Sequence, residues 1–178
     1  RVVRGTARFI NDRLVSVTSP HGVETIPFDA AVIATGCRPF FPPPFDGLTD
    51  SILDSDRILG TETVPQTLAV VGGGAVGLEF ACLFQELGAR VSVIEKKPQI
   101  LPGEEASVSR LLQKSFEKRG MKIHTDRTVD KAEKTADAWR LTLSNGETLT
   151  PEQVLVCVGR FPGTSELGLD AAGGFVDG

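Results

Sequence analysis

The apolar positions change their rhythm twice along the chain. Residues 1–36 read as a meander of strands, Val2 to Ile10 and Leu14 to Ser19 broken at Asn11-Asp12, then a turn at Ser19-Pro20-His21-Gly22 and a run from Ala30 to Ala34. Residues 38–66 carry Pro39, Pro42, Pro43, Pro44 and Pro65 with little periodicity, the pattern of a connection between two structural units. From Thr67 the order becomes strand, helix, strand, helix, strand, which builds a parallel sheet covered by helices. Thr67 to Val71 is an apolar strand, and Val76, Phe80, Leu83 and Leu87 fall on one helical stripe that Gly88 terminates. Arg90 to Glu95 is a short buried strand. Val108, Leu111, Leu112 and Phe116 mark a second helix, with Glu104 and Glu105 before it, Lys118 and Arg119 at its end and Gly120 as its stop. Met121 to Thr125 is a third strand. Thr128 to Lys134, Trp139 to Ser144 and Glu147 to Leu149 form an antiparallel meander turned at Asn145-Gly146, and Gln153 to Val158 returns as an apolar strand.

The fold class expected from this pattern is α/β: a Rossmann-like parallel sheet with helices on both faces plus an antiparallel β-meander. The strand-to-helix junction explains why. VVGGGAVGLEF holds Gly72-x-Gly74-x-x-Gly77, follows an apolar strand, opens a helix, and is succeeded by a strand ending in the acid Glu95, 23 residues after Gly72. Gly72 permits the turn out of the strand, Gly74 lets a pyrophosphate reach the backbone, and Gly77 lets the helix lie close to the sheet. The free N–H groups of the helix start then hold the anion without a basic side chain. Glu95 can accept from both hydroxyls of an adenosine ribose and repels an added phosphate, which favours NAD(H) over NADP(H). Lys96 and Lys97 follow, and read as solvated turn residues more readily than as counterweights to that repulsion.

Composition narrows the classes further. A chain of 178 residues with 40% hydrophobic and 24% charged side chains holds one ordinary core with attached pieces. Its net charge of -4, with scattered lysines and arginines, gives no surface for nucleic acid. No apolar run approaches the roughly 18 residues of a membrane span, and the opening RVVRGTARFI lacks the apolar core of a secretory signal. Cys37, Cys82 and Cys157 are odd in number and widely spaced, against a disulfide framework or a metal site. A cytoplasmic setting is expected. Cys82 and Cys157 read as small buried hydrophobes and Cys37 as a turn residue; His21 and His124 read as surface turn and strand residues.

Four segments in order resemble the pyridine nucleotide-disulfide oxidoreductases, particularly the dihydrolipoamide dehydrogenase and mercuric reductase branch: AVIATGCRP (31–39), VVGGGAVGLEFA, ILPGEE and VCVGRFP (156–162). The resemblance covers essentially the whole chain. It implies an FAD-domain remnant at 1–37, a crossing linker at 38–66, an NAD-binding Rossmann domain at 67–160 and a return into the FAD domain at 161–178. It places Gly72, Gly73, Gly74, Ala75, Val76, Gly77, Glu79 and Glu95 at the NAD site, Val129 beside the adenine and Gly159 near the nicotinamide half. Gly5 falls near the FAD adenine, and Thr35 and Gly36 at the turn that touches the flavin. Glu79, an acid in an apolar helix, calls for a coenzyme amide or a lysine as partner, or faces solvent. Arg160 ties two domains together or contacts ligand. Two positions depart from the pattern: Cys37 stands where serine is usual and Gly163 where asparagine is.

The implied activity is hydride transfer between NAD(H) and FAD coupled to a dithiol/disulfide, in a homodimeric parent that supplies the remaining FAD and dimerisation domains. A first GxGxxG, a CxxxxC pair and a His-Glu base are not in this chain, so it is expected to bind NAD(H), not to retain FAD, and to be inactive alone. Two other parents fit the motifs less fully: a flavin reductase of the ferredoxin reductase or NADH oxidase kind, and a non-catalytic NAD-binding module.

Overall fold

The computed structural model describes residues 1–174. Two compact units divide them: the first takes Arg1–Arg38 together with the chain from Phe161 onward, and the second Pro39–Arg160.

In the first unit β1 (Thr6–Phe9), β2 (Leu14–Ser19) and β3 (Gly22–Pro27) form an antiparallel sheet in that order. Ser19 pairs with Gly22, so Pro20-His21 is a two-residue hairpin loop, with Gly22 at φ 123°. β3 was not among the strands read from the pattern, because GVETIP alternates too weakly to stand out. The expected strand at Ala30–Ala34 is corrected in the opposite sense. It joins no ladder and its side chains are exposed, Val32 at 94%, because no strand among the described residues lies beside it to complete a sheet.

β4 (Cys37–Pro39) begins the crossing to the second unit, whose sheet strands are β5 (Thr67–Val71), β6 (Arg90–Ile94), β7 (Lys122–His124) and, after the meander of β8 (Val129–Lys134), β9 (Trp139–Leu143) and β10 (Thr148–Leu149), β11 (Gln153–Val156). β12 (Arg160–Pro162) carries the return crossing and pairs with β4. The parallel sheet runs β11-β5-β6-β7. Helix α1 (Ala75–Glu86) follows β5 and α2 (Ala106–Lys118) follows β6.

The mixed α/β architecture is as expected, with one correction to its layers. Alternate residues of the sheet point to opposite faces. Leu68, Val70, Val91, Val93 and Leu155 meet Leu78, Ala81 and Phe84 of α1 and Phe116 of α2, so both helices cover one face. Ala69, Val71, Ile94, Val154 and Val156 meet Trp139, Leu141 and Leu143, so the meander covers the other instead of a helix.

Of the stripe expected to bury α1, only Phe80 packs against the core. Val76, Leu83 and Leu87 are 48%, 48% and 55% exposed, and the sheet side of the helix is Gly77, Leu78, Ala81 and Phe84. Gly77 and Ala81 let the helix lie close to the sheet, with Leu78 and Phe84 packed beside them and Phe80 half-buried against the same core. α2 likewise turns Val108 and Leu111 outward and buries Ser109 and Phe116.

The proline-rich segment at 38–66 is not a bare connection. Phe45 and Ile52 are buried on the meander side and Ile58 on the helix side. Leu53 bridges to Leu155, donating to Val154 O and accepting from Val156 N–H, each at 2.9 Å, so it covers the open edge of β11. Asp54, 6% exposed, accepts the N–H groups of Asp56 and Arg57 at 2.8 and 2.9 Å and starts the helical turn Ile58–Gly60.

Candidate functional site

A cavity of about 500 Å³ opens at the carboxyl ends of β5, β6 and β11, lined there by Val71, Ile94, Glu95, Cys157 and Val158. This volume is in the range of small-molecule sites. β5 is central, with β6 on one side and β11 on the other, so the cavity lies where an open α/β sheet ordinarily binds its ligand.

The three motif glycines differ sharply in what a side chain would meet. A Cβ on Gly72, whose φ is 109°, would come 2.4 Å from Cys157 O, and one on Gly77 would come 2.1 Å from Gly72 O. Both positions are closed by backbone. A Cβ on Gly74 would meet nothing within 4 Å, and Gly74 lines the cavity. Gly74 is the N-cap of α1 with no side chain to cap it, and the first helical bond runs from Leu78 N–H to Gly74 O at 3.0 Å. The N–H groups of Ala75, Val76 and Gly77 therefore have no acceptor within the helix. The result is an uncapped helix start beside an open backbone, which suits a pyrophosphate.

Glu95, 7% exposed, uses its carboxylate internally. Oε2 accepts Gly73 N–H at 2.7 Å and Oε1 accepts Lys97 N–H at 2.8 Å. The acid thus ties the glycine loop to the turn after β6, and its remaining lone pairs are what a ribose could use. Two residues with left-handed backbone brace the same loops. Leu101, at φ 47°, donates to Gly73 O at 2.7 Å, and Asp126, at φ 52°, donates to Lys97 O at 3.0 Å. Such conformations cost of order 1–3 kcal/mol each and persist where the surroundings fix them. Nothing in the sequence pattern flagged either residue.

Of the other expected NAD-site residues, Gly73 lies against Glu95 Cβ, and Val129, 6% exposed, lines the cavity beside Thr128 and Arg127. Ala75, Val76 and Glu79 are exposed on α1, and Glu79 faces solvent in this chain. Gly159, at φ 146°, is exposed and accepts Phe40 N–H at 3.0 Å. Sequence reasoning missed Phe40, Pro42, Pro43 and Phe45, which also line the cavity. The phenylalanines were the available signal, since three of the ten crowd into residues 40–45 of a stretch otherwise read as loop.

In the first unit the expected FAD contacts look different. A Cβ on Gly5 would come 2.4 Å from Thr18 O, so this glycine serves the approach of β2. Thr35 lines a shallow hollow of about 210 Å³ with Phe9 and Val15, and Gly36, at φ 72°, is open. Gly163 has a local reason to replace a larger residue: its N–H donates to Gly36 O at 2.8 Å, and a Cβ there would stand 2.8 Å from Thr35 O.

The remaining polar groups are structural. Arg160 forks onto Asp56, Nη1 to Oδ1 and Nη2 to Oδ2 both at 3.0 Å, and reaches Ser55 Oγ at 2.7 Å. Hydrogen bonding from that guanidinium holds the Asp56 carboxyl below its usual range. Cys37 is exposed, and Cys82 is half-buried and accepts from Arg119. Burial, with the charge of Asp54, pushes the Cys157 thiol up to about 12, so it stays protonated and inert at the cavity floor. No helix among the described residues is long and apolar enough to cross a membrane.

An open parallel sheet with a glycine-rich turn into a close-packed helix defines a Rossmann-like α/β protein. The family model for pyridine nucleotide-disulphide oxidoreductases matches residues 1–177, and the chain belongs to that family. It is 36% identical over 177 residues to a dihydrolipoyl dehydrogenase of Bacillus subtilis, covering 97% of this chain and 38% of the relative. It is 37% identical over 175 residues to the dihydrolipoyl dehydrogenase of Geobacillus stearothermophilus, covering 97% and 37%. Among solved structures, a copper complex of the HOCl-induced flavoprotein disulfide reductase RclA of Escherichia coli superposes with a TM-score of 0.87 at 28% identity, over 99% of this chain and 40% of that one. The chain thus spans less than half the length of these relatives.

Proposed function

We propose that the chain is the NAD(H)-binding unit of an FAD-dependent disulfide oxidoreductase of the dihydrolipoamide dehydrogenase kind, with Pro39–Arg160 carrying the coenzyme. One observation carries the reading. Of the three motif glycines, the one whose missing side chain leaves room is Gly74, beside the uncapped helix start and facing the cavity. Strand-to-helix packing alone accounts for Gly72 and Gly77 and leaves Gly74 unexplained.

In this reading the backbone of Gly74 to Gly77 holds the pyrophosphate, Glu95 takes the adenosine ribose, and Val129 and Thr128 border the adenine. Gly159 lies toward the nicotinamide. The coenzyme, when bound, supplies the hydride, and in the parent the flavin and a cysteine pair carry the electrons onward. This chain's part is to bind, orient and exclude water. The family resemblance, its cysteine-pair chemistry and the flavoprotein disulfide reductase among the structural neighbours support the disulfide-linked reading.

The coenzyme preference is testable on the chain itself. Glu95 is held in place by two backbone N–H groups, so its charge stays where a 2′-phosphate would fall. Calorimetric titration is expected to show NADH binding at least about tenfold tighter than NADPH, a difference of about 1.4 kcal/mol. Equal affinities would remove the NAD assignment and turn attention to Lys96, Lys97 and Arg127, which line the same end of the cavity.

A further inference from the structure

Another cavity, of about 310 Å³, lies at the amino ends of β5 and β6, the end of the sheet away from the glycine loop. Alternation and register fix its construction. Ala69 and Ile94 face the meander, so Thr67, Arg90 and Ser92, an even number of residues earlier on the same strands, face it too. Lys122 pairs with Ser92, and Ile123 next to it packs on the helix side, so Lys122 shares the meander face. Thr148 and Thr150 line the cavity from the meander. The layer between sheet and meander, apolar around Trp139, Leu141 and Leu143, is therefore polar where the strands begin.

These polar groups lack an acceptor. Among the described residues no hydrogen bond or ion pair engages the side chains of Arg90, Ser92, Lys122, Thr148 or Thr150, and no aspartate or glutamate lines the cavity. Thr67 Oγ1 accepts Glu152 N–H at 2.9 Å and keeps its own proton to donate. In the same unit Arg57, Arg119, Lys131 and Arg160 each stand beside a carboxylate. Arg90 and Lys122 lie on adjacent strands, two residues apart in register. A strand spacing of about 4.8 Å and a rise of about 3.3 Å per residue put their backbones about 8 Å apart. Two cations over one cavity repel each other, and an anion between them turns that repulsion into attraction.

We propose that this cavity binds a phosphoryl group, as free phosphate or as the end of a phosphomonoester. Arg90 supplies the planar fork that matches two phosphate oxygens, and Lys122 supplies a point charge. The hydroxyls of Thr67, Ser92, Thr148 and Thr150 donate to the remaining oxygens. A carboxylate, with two oxygens and one charge, leaves most of these donors unused, whereas a tetrahedral dianion engages both cations and the hydroxyls together. The site is independent of the dinucleotide reading. Five residues of β5 separate it from the glycine loop, about 13 Å at the strand rise.

The test is a heteronuclear NMR titration of the chain at about 0.15 M salt, with inorganic phosphate and with glycerol 3-phosphate in turn. The readout is the backbone amides of Thr67, Arg90, Ser92, Lys122, Thr148 and Thr150, which report this end of the sheet and not the glycine loop. Saturable shifts are expected there, and the tighter of the two ligands names the source as free phosphate or a phosphorylated small molecule. Arg90→Gln and Lys122→Gln are each expected to weaken the tighter ligand about tenfold, and Arg90→Lys, which keeps the charge and loses the fork, about threefold. Both side chains are exposed, so the strand pairing should survive, and unmoved amides of Val70, Val93 and Leu141 check that it does. Shifts that grow in proportion to ligand without saturating overturn the proposal. So do saturating shifts whose affinity is the same in both glutamine variants.

Discussion

Replacing Gly77 by alanine is expected to lower the stability of the chain by about 3 kcal/mol, as overpacking against backbone does. The added Cβ would stand 2.1 Å from Gly72 O and 3.3 Å from Val70 Cγ1, and the first of these is backbone with no rotamer to give. Relief requires α1 to lift from β5, which opens contacts of Leu78 and Ala81 with the sheet. For a chain of this size the thermal midpoint should fall by about 10 °C. A midpoint within about 2 °C of the native value would show that the helix–strand approach is looser than described.

Gly74→Ala is expected to do the reverse, with a larger effect on binding. Gly74 has φ -76° and ψ 178°, extended backbone that any residue adopts, and its Cβ would meet nothing within 4 Å. Stability should fall by less than about 1 kcal/mol, since alanine is a poorer N-cap than glycine and the lost freedom of the unfolded chain offsets part of that cost. The methyl would project where the pyrophosphate must approach, so NADH affinity should fall about 100-fold, or about 2.8 kcal/mol. Calorimetry and a melting curve on the same sample separate the outcomes. Undiminished NADH binding by a well-folded Gly74→Ala chain would remove the pyrophosphate from this loop.

These two substitutions also mark how far the sequence could be read. The roles of Gly72 and Gly77 follow from a strand-to-helix turn and could be stated in advance, because backbone geometry at such a turn is local. The strands of the parallel sheet and both helices were legible for the same reason. The buried face of α1 was not. Val76, Phe80, Leu83 and Leu87 repeat at helical spacing as well as Gly77, Leu78, Ala81 and Phe84 do, and periodicity does not say which stripe meets the sheet. The close approach that Gly77 itself makes possible favours the stripe on its own side of the helix. Covering one sheet face with the meander was likewise a matter of long-range packing, decided by Trp139, Leu141 and Leu143.

The candidate site divides in the same way. Glu95 was found by its spacing from the glycines, but its hydrogen bonds to Gly73 and Lys97 depend on how two loops fold back on each other. Leu101 and Asp126, strained and bracing those loops, carry no residue-type signature. Phe40 and its prolines lay in a stretch whose composition reads as a connection, and the buried Phe45 and Ile52 make it part of the unit. Ala30–Ala34 shows the opposite failure. Its apolar run has the pattern of a buried parallel strand, yet a strand takes shape only where a neighbour offers a ladder.

The central claim, that this chain holds NAD(H) at the carboxyl ends of β5, β6 and β11, has a direct optical test. Trp139 is the single tryptophan and is 1% exposed, in the core shared by the sheet and the meander. Its emission overlaps the absorption of reduced nicotinamide, so NADH bound in the cavity should quench tryptophan emission and gain sensitised emission of its own. The account expects a saturable signal that excess NAD⁺ or AMP reverses and that Gly74→Ala abolishes at the same NADH concentration. A native chain whose Trp139 emission changes only in proportion to the NADH added, with no saturation and no reversal, would contradict it.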